Sequence, residues 1–231
     1  MSFDDIARPR AFIFDLDGVI TDTAHLHFVA WRELAQELDL PFDAAFNEQL
    51  KGVSRAESLE RILALGTRPY TPAEKAAMAE RKNAAYVKLL EGMTPADLLP
   101  GALAALQAAR AAGCRIGLAS ASRNAASVVE RLGIVQAFDH VVDANRIANS
   151  KPDPEVFLAA AHALAVAPAD CVGIEDAIAG VQAVRAAGMF ALGVGDARVL
   201  TEADQVIADL RGFVPSNYLR AGSRLRWVRS P

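Results

Sequence analysis

Residues 10–18 read RAFIFDLDG. A short apolar run, aromatic at Phe12 and Phe14 and β-branched at Ile13, predicts a buried strand over residues 10–16. Asp17-Gly18 then breaks it. Side chains at i and i+2 of an extended segment point the same way, so Asp15 and Asp17 can face one site. One carboxylate can attack phosphorus to form an acyl phosphate while the second gives a proton to the leaving oxygen and later takes one back. An Asp-Gly turn with one capping aspartate is the blander account of the same residues.

Outward from this strand the pattern changes twice. From about Thr23 to Met93 the apolar residues fall at helical spacing, with Leu26, Val29, Ala30, Leu34 and Leu38 three or four apart, then helices over 54–65 and 72–91. Thr71-Pro72 with Glu74 reads as the start of the last of these. After Thr94-Pro95 helices and strands alternate: helices over 101–112, 123–132, 154–165 and 177–187, and strands over 114–120, 138–143, 171–174 and 189–194. Such alternation predicts a parallel sheet covered by helices on both faces. The fold expected is therefore α/β, a doubly wound parallel-sheet core with an all-helical domain inserted after its first strand. The core takes residues 1–22 and 94–231, and the insertion 23–93.

Ligands of such sheets bind beyond the carboxyl ends of the strands. Asp15, Asp17, Ser120, Lys151, Glu175 and Asp176 all fall on that edge. Two adjacent acids after a buried strand suit Mg2+, which takes hard oxygen ligands together with phosphate and water; an acidic N-cap serves equally well as an explanation. Lys151, held by the following Pro-Asp-Pro, can neutralise a phosphoryl oxygen or be a solvated loop lysine. The segment from Ser120 through Asn124 can point N–H groups and hydroxyls at an anion, or simply cap a helix.

Composition removes other classes. With 28 acids against 24 bases the net charge is −4, so nothing draws the chain as a whole to nucleic acid or to an anionic membrane. Its two cysteines, Cys114 and Cys171, lie in apolar stretches and form neither a disulfide framework nor a zinc pattern. No apolar run approaches the roughly 18 residues of a membrane span, and the N-terminus lacks a signal-like stretch. A cytoplasmic enzyme of small-molecule substrates, acting as a monomer, is the expectation. The segment after Asp209 carries Arg211, Arg220, Arg224, Arg226 and Arg229 with no acid, and residues 210–231 read as a solvated, flexible tail, a loose electrostatic contact with a partner being the alternative.

The motifs at 15–18, Ser120, Lys151 and 175–176 together resemble the haloacid dehalogenase-like phosphotransferases over roughly residues 10–196. Within them, DLDGVITDTAHLHFVAW at 15–31, FNEQLKGVSRAESL at 46–59, RKNAAYVKLL at 81–90 and ASASRN at 119–124 look like the β-phosphoglucomutases. The resemblance implies a sugar phosphate as substrate, Asp15 as the phosphorylated nucleophile, Asp17 as general acid and base, and Mg2+ held by Asp15, the Asp17 carbonyl, Glu175 and Asp176. It places Ser120, Ala121 and Lys151 on the transferring phosphoryl group. Arg55, Ser122, Arg123 and Asn124 then hold a second phosphate. Thr23 would be the hinge, and His27, Trp31, Gly52, Val53, Ser54, Ser58 and Lys82 the cap side of the site. His25, two residues from His27 on a helix, would face elsewhere. Arg123 departs from the usual lysine there, keeping charge but changing geometry. Alternatives are a sugar-phosphate phosphatase of the same chemistry and a non-catalytic phosphosugar sensor; a dehalogenase needs neither Asp17 nor the metal acids.

Overall fold

The computed structural model describes residues 6–7, 9–50, 52–221 and 224–227. After a short β1 (Ile6–Ala7), the apolar aromatic run forms β2 (Ala11–Phe14), and its alternation decides the layering. Phe12 and Phe14 point into one apolar layer, Ala11 and Ile13 into the other. β3 (Arg115–Leu118) and β5 (Cys171–Glu175) flank β2 in parallel, with β4 (His140–Val141) outside β3 and β6 (Phe190–Val194) outside β5. β7 (Gln205–Ile207), which the sequence pattern did not suggest, completes a six-stranded parallel sheet in the order β4-β3-β2-β5-β6-β7.

Between β2 and β3 the chain builds α1 (Ala24–Glu37), α2 (Ala44–Glu48), α3 (Arg55–Leu63) and α4 (Pro72–Leu90). The expected start of α4 is a capping box. The Glu74 N–H donates to Thr71 Oγ1 at 3.2 Å, and the Thr71 N–H donates to Glu74 Oε2 at 2.7 Å, with Pro72 in the first turn. These helices bury their own cluster around Trp31, Leu34, Leu59, Ile62 and Met78. Ala30, Tyr86 and Leu90 instead pack into the core layer of Phe12 and Phe14, fastening the helical unit to the sheet. The remaining helices, α5 (Ala102–Ala111), α6 (Ala125–Arg131), α7 (Glu155–Ala163) and α8 (Ile178–Ala186), cover the two faces, α5 and α6 on one and α7 and α8 on the other.

The expectation of a solvated tail from residue 210 is wrong for the described part. Leu210, Phe213 and Tyr218 are buried. Phe213 meets Phe12 edge-on at 5.0 Å between centroids, and Tyr218 meets Phe12 and Phe190 at 5.8 and 5.7 Å. β8 (Tyr218–Ala221) and β9 (Arg224–Trp227) pair antiparallel, and β8 also pairs with β1, giving a second sheet of order β1-β8-β9. Arg211 pairs with Asp209 at 2.6 Å; Arg220, Arg224 and Arg226 fall in these strands, and Arg229 lies outside the described residues. Burial of a few large aromatic rings outweighs the charge of Arg211, whose head stays at the surface. Truncating such a ring removes buried area and leaves a cavity, so Tyr218→Ala should lower the unfolding free energy by about 3–5 kcal/mol in urea titration. Wild-type stability in that variant would show the C-terminal hairpin to be peripheral.

Candidate active site

β2 is the strand at which the sheet order reverses, because β3 and β4 are laid down on one side of it and β5 to β7 on the other. The crevice at such a switch point receives side chains from several strand ends. Asp15 follows β2, Ser120 follows β3 and Glu175 ends β5. Lys151 arrives from the loop between β4 and α7, and its buried Nζ donates to Asp15 Oδ1 and Glu175 Oε1, each at 2.5 Å, and to the Ala119 carbonyl at 3.1 Å. Burial works against an ammonium here, but the two carboxylates outweigh it and hold Lys151 above its ordinary lysine range.

Two glycines exist where they do because of the acids beside them. An added Cβ at Gly180 in α8 would lie 2.1 Å from both carboxylate oxygens of Glu175. At Gly18, whose φ of +84° already favours glycine, a Cβ would lie 2.0 Å from Asp176 Oδ2. Asp15, Glu175 and Asp176 each bring a carboxylate oxygen within 4.8 Å of the others. Three hard oxygen donors around one point, with a single ammonium against them, suit a small divalent cation.

A second chain of contacts runs from Asp17 into the helical unit. Thr23 Oγ1 donates to Asp17 Oδ1, and Tyr86 OH donates to Thr23 Oγ1 at 3.1 Å. Burial, with the Asp15 charge next, pushes the Asp17 carboxyl up to about 7 against the Thr23 hydrogen bond and the Lys151 charge. Tyr86 stacks on His27 at 4.0 Å, and Lys82 Nζ lies 2.7 Å from His27 Nδ1 and over the rings of Trp31 and Tyr86 at 4.6 and 4.8 Å. Burial, then the charges of Lys82 and Arg55, drives the His27 imidazole well below its usual range. The ring is therefore neutral, and with Lys82 as the donor to Nδ1 its proton sits on Nε2.

One cleft is lined by both groups of residues: Asp15, Asp17, Ser120, Ala121, Ser122, Arg123 and Asn124 from the core, and His27, Trp31, Gly52, Val53, Arg55, Ser58 and Lys82 from the helices. Lys151, Glu175 and Thr23 are buried behind this lining, and Asp176 opens onto an adjoining recess with Asp15 and Asp17. Ser54 is not brought into the cleft. Its hydroxyl caps α3 by accepting from the Glu57 N–H at 3.3 Å, and its own N–H donates to Ser150 Oγ at 3.2 Å. His25 is exposed, as expected from its spacing. The loop after β3 folds on itself, the Ser122 N–H donating to Ser120 Oγ at 3.0 Å.

Asn47 and Leu50 also line the cleft, and Asn83 and Tyr86 support it, although the sequence singled out none of them. Asn83 and Tyr86 sit within a charged run that reads as a solvated face, and only their spacing on α4, Tyr86 four after the buried Lys82 and three after Asn83, places them on the inner side. Arg55 carried a readable signal. It stands at the first position of α3, where the helix dipole disfavours a cation, so its charge needs another purpose.

The sequence profile of haloacid dehalogenase-like hydrolases matches residues 9–188. The chain is 51% identical over 200 residues to the β-phosphoglucomutase of Bacillus subtilis, covering 86% of this chain and 88% of that one. It is 30% identical to a phosphorylated carbohydrates phosphatase of Thermotoga maritima over 85% of this chain and 92% of that one. The crystal structure of β-phosphoglucomutase from Clostridium difficile superimposes with a TM-score of 0.85 at 48% identity, over 87% of this chain and 91% of that one. The switch-point acids, the lysine between them and these likenesses agree: the chain belongs to the haloacid dehalogenase-like hydrolase family.

Proposed function

We propose that this chain is a β-phosphoglucomutase, interconverting β-D-glucose 1-phosphate and glucose 6-phosphate through β-glucose 1,6-bisphosphate and a phosphorylated Asp15. The observation that carries this reading is that one cleft is lined by Asp15 and Asp17 and also by Arg55, Arg123 and Asn124. A mutase must hold a bisphosphate in either orientation, with one phosphate at the nucleophile and the other a sugar's length away. A phosphatase needs the first site alone. The likeness to the Bacillus and Clostridium mutases supports the same choice over the phosphatase relatives.

In this reading residues 23–93 are a cap over a core of 1–22 and 94–231, with Thr23 at the hinge. Asp15, the Asp17 carbonyl, Glu175 and Asp176 hold Mg2+, which when bound neutralises charge on the transferring phosphoryl group. Asp15 attacks one phosphorus of the bound bisphosphate, breaking its bond to the sugar oxygen so that a glucose monophosphate departs. Asp17, protonated near neutral pH, gives its proton to the departing sugar oxygen and takes one from the attacking hydroxyl in the return step. The Thr23 hydroxyl, itself fixed by Tyr86, orients the Asp17 carboxyl. Lys151, Ser120 and the Ala121 N–H bind phosphoryl oxygens. Neutral His27 presents Nε2–H to the sugar, and Arg55, Ser122, Arg123 and Asn124 bind the distal phosphate. A closed cap excludes water, so the aspartyl phosphate waits for a sugar hydroxyl instead of hydrolysing. No helix among the described residues is long and apolar enough to cross a membrane, in keeping with a cytoplasmic enzyme of small sugar phosphates.

The test is glucose 6-phosphate formation from β-glucose 1-phosphate with and without bisphosphate primer. Primed turnover that disappears in Asp15→Asn is expected; release of inorganic phosphate alone would sink the mutase reading. A second prediction concerns Lys82, whose ammonium is pushed from 10.5 down to about 7 by burial and next by the Arg55 charge. Across that window the unfolded chain holds a proton that the folded chain has lost, so stability rises with pH. In phosphate-free buffer, Lys82→Met should reduce the slope of unfolding free energy against pH, between about pH 7.5 and 9.5, by up to about 1.4 kcal/mol per unit. An unchanged slope would mean that Lys82 stays protonated in the fold.

A further inference from the structure

The contact that joins cap to core beside the distal anion site involves neither of the arginines alone but a neutral amide. Asn83 Oδ1 accepts from Arg55 Nη2 at 2.8 Å and from Asn124 Nδ2 at 3.0 Å. The first donor comes from α3 of the cap and the second from the loop that precedes α6 of the core. An amide oxygen has two lone pairs and can serve both donors at once, whereas the flipped amide would turn N–H groups toward N–H groups. The orientation of Asn83 is thereby fixed, and so is that of Asn124, whose Nδ2 is committed to it.

The need for such a bridge follows from charge. Arg55 approaches Arg123 across the cleft, and burial followed by the Arg123 charge holds the Arg55 guanidinium below its usual range. Two cations converging from cap and core repel until an anion lies between them. Glu80 is the acid near Arg55, at 3.6 Å, but its side chain is 72% exposed and water screens it. A carboxylate at position 83 would satisfy Arg55 and repel the incoming phosphate; an apolar side chain would leave the guanidinium unsupported.

We infer that Asn83 is a positioning residue for the distal phosphate and the neutral latch between cap and core, holding Arg55 and Asn124 at fixed spacing without spending their charge. This rests on the mutase reading, because only a substrate with a second phosphate uses that spacing. A ligand without a distal phosphate gains nothing from Asn83, so the consequence is one of selectivity.

The experiment compares β-glucose 1,6-bisphosphate with acetyl phosphate as phosphoryl donors to Asp15 in full-length wild type, Asn83→Leu and Asn83→Asp. Loss of a charge-assisted hydrogen bond and of its neutral partner should lower the preference for the bisphosphate, as the ratio of kcat/KM values, by about tenfold in Asn83→Leu. The loss should appear mainly in KM for the bisphosphate. Asn83→Asp keeps both acceptor bonds and adds a negative charge, and should lower the preference as well; it also serves if Asn83→Leu does not fold. A preference equal to wild type in a folded variant, whatever the absolute rates, overturns the inference and leaves the mutase reading standing. A wild type that cannot use the bisphosphate at all overturns both.

Discussion

Lys151 Nζ lies between the carboxylates of Asp15 and Glu175, out of contact with water, at the point where the central sheet reverses its order. Three buried or half-buried acids could not share that crevice without a cation, and removing one partner of a buried pair is far more costly than the pair is stabilising. Much of the surrounding sequence follows from this. Gly18 and Gly180 leave room for the carboxylates of Asp176 and Glu175, the loop bearing Lys151 reaches back from β4, and the Ala119 carbonyl takes the ammonium's third hydrogen bond. In the proposed chemistry the Lys151 ammonium offsets the charge that phosphorylation of Asp15 adds.

The helical unit of α1 to α4 performs a different electrical task. Its inner face gathers Arg55 and Lys82 beside the neutral His27 ring, and no acid forms an ion pair with Lys82 among the described residues. Holding cations close together in a half-dry cleft weakens each of them until a phosphate dianion arrives, when the repulsion becomes attraction. The aromatic faces of Trp31 and Tyr86 soften the cost for Lys82 without supplying a negative charge that would compete with the ligand. Tyr86 also touches Thr23 and so, through one hydroxyl, the Asp17 carboxyl. The helical unit and Asp17 are thus linked by direct contacts.

Much of this was legible in the sequence where local pattern and chemistry coincided. FIFDLDG announces a buried strand ending in two carboxylates, Thr71-Pro72 with Glu74 announces a helix start, and each was found as expected. The C-terminal segment misled because its net charge hides three large apolar side chains, Leu210, Phe213 and Tyr218, spaced by short turns with no helical or strand period. β7 is only three residues long and half-buried, too short for alternation to register. Asn83 was unreadable for a deeper reason. Its importance depends on meeting residues 28 and 41 positions away, and nothing local in Arg-Lys-Asn distinguishes it from a solvated helix face. Ser54 shows a different limit, its motif position suggesting the cleft while its hydroxyl caps the helix it starts.

The central claim is that Asp15, balanced by Lys151, accepts a phosphoryl group and passes it to a sugar. The most direct measurement is acid-quench trapping of radiolabelled phosphoryl from a labelled donor, followed by peptide mapping and a chase with unlabelled β-glucose 1-phosphate. The account predicts label on the peptide containing Asp15, moving into glucose bisphosphate during the chase. Label on another residue, or a chase that yields inorganic phosphate alone, would contradict it.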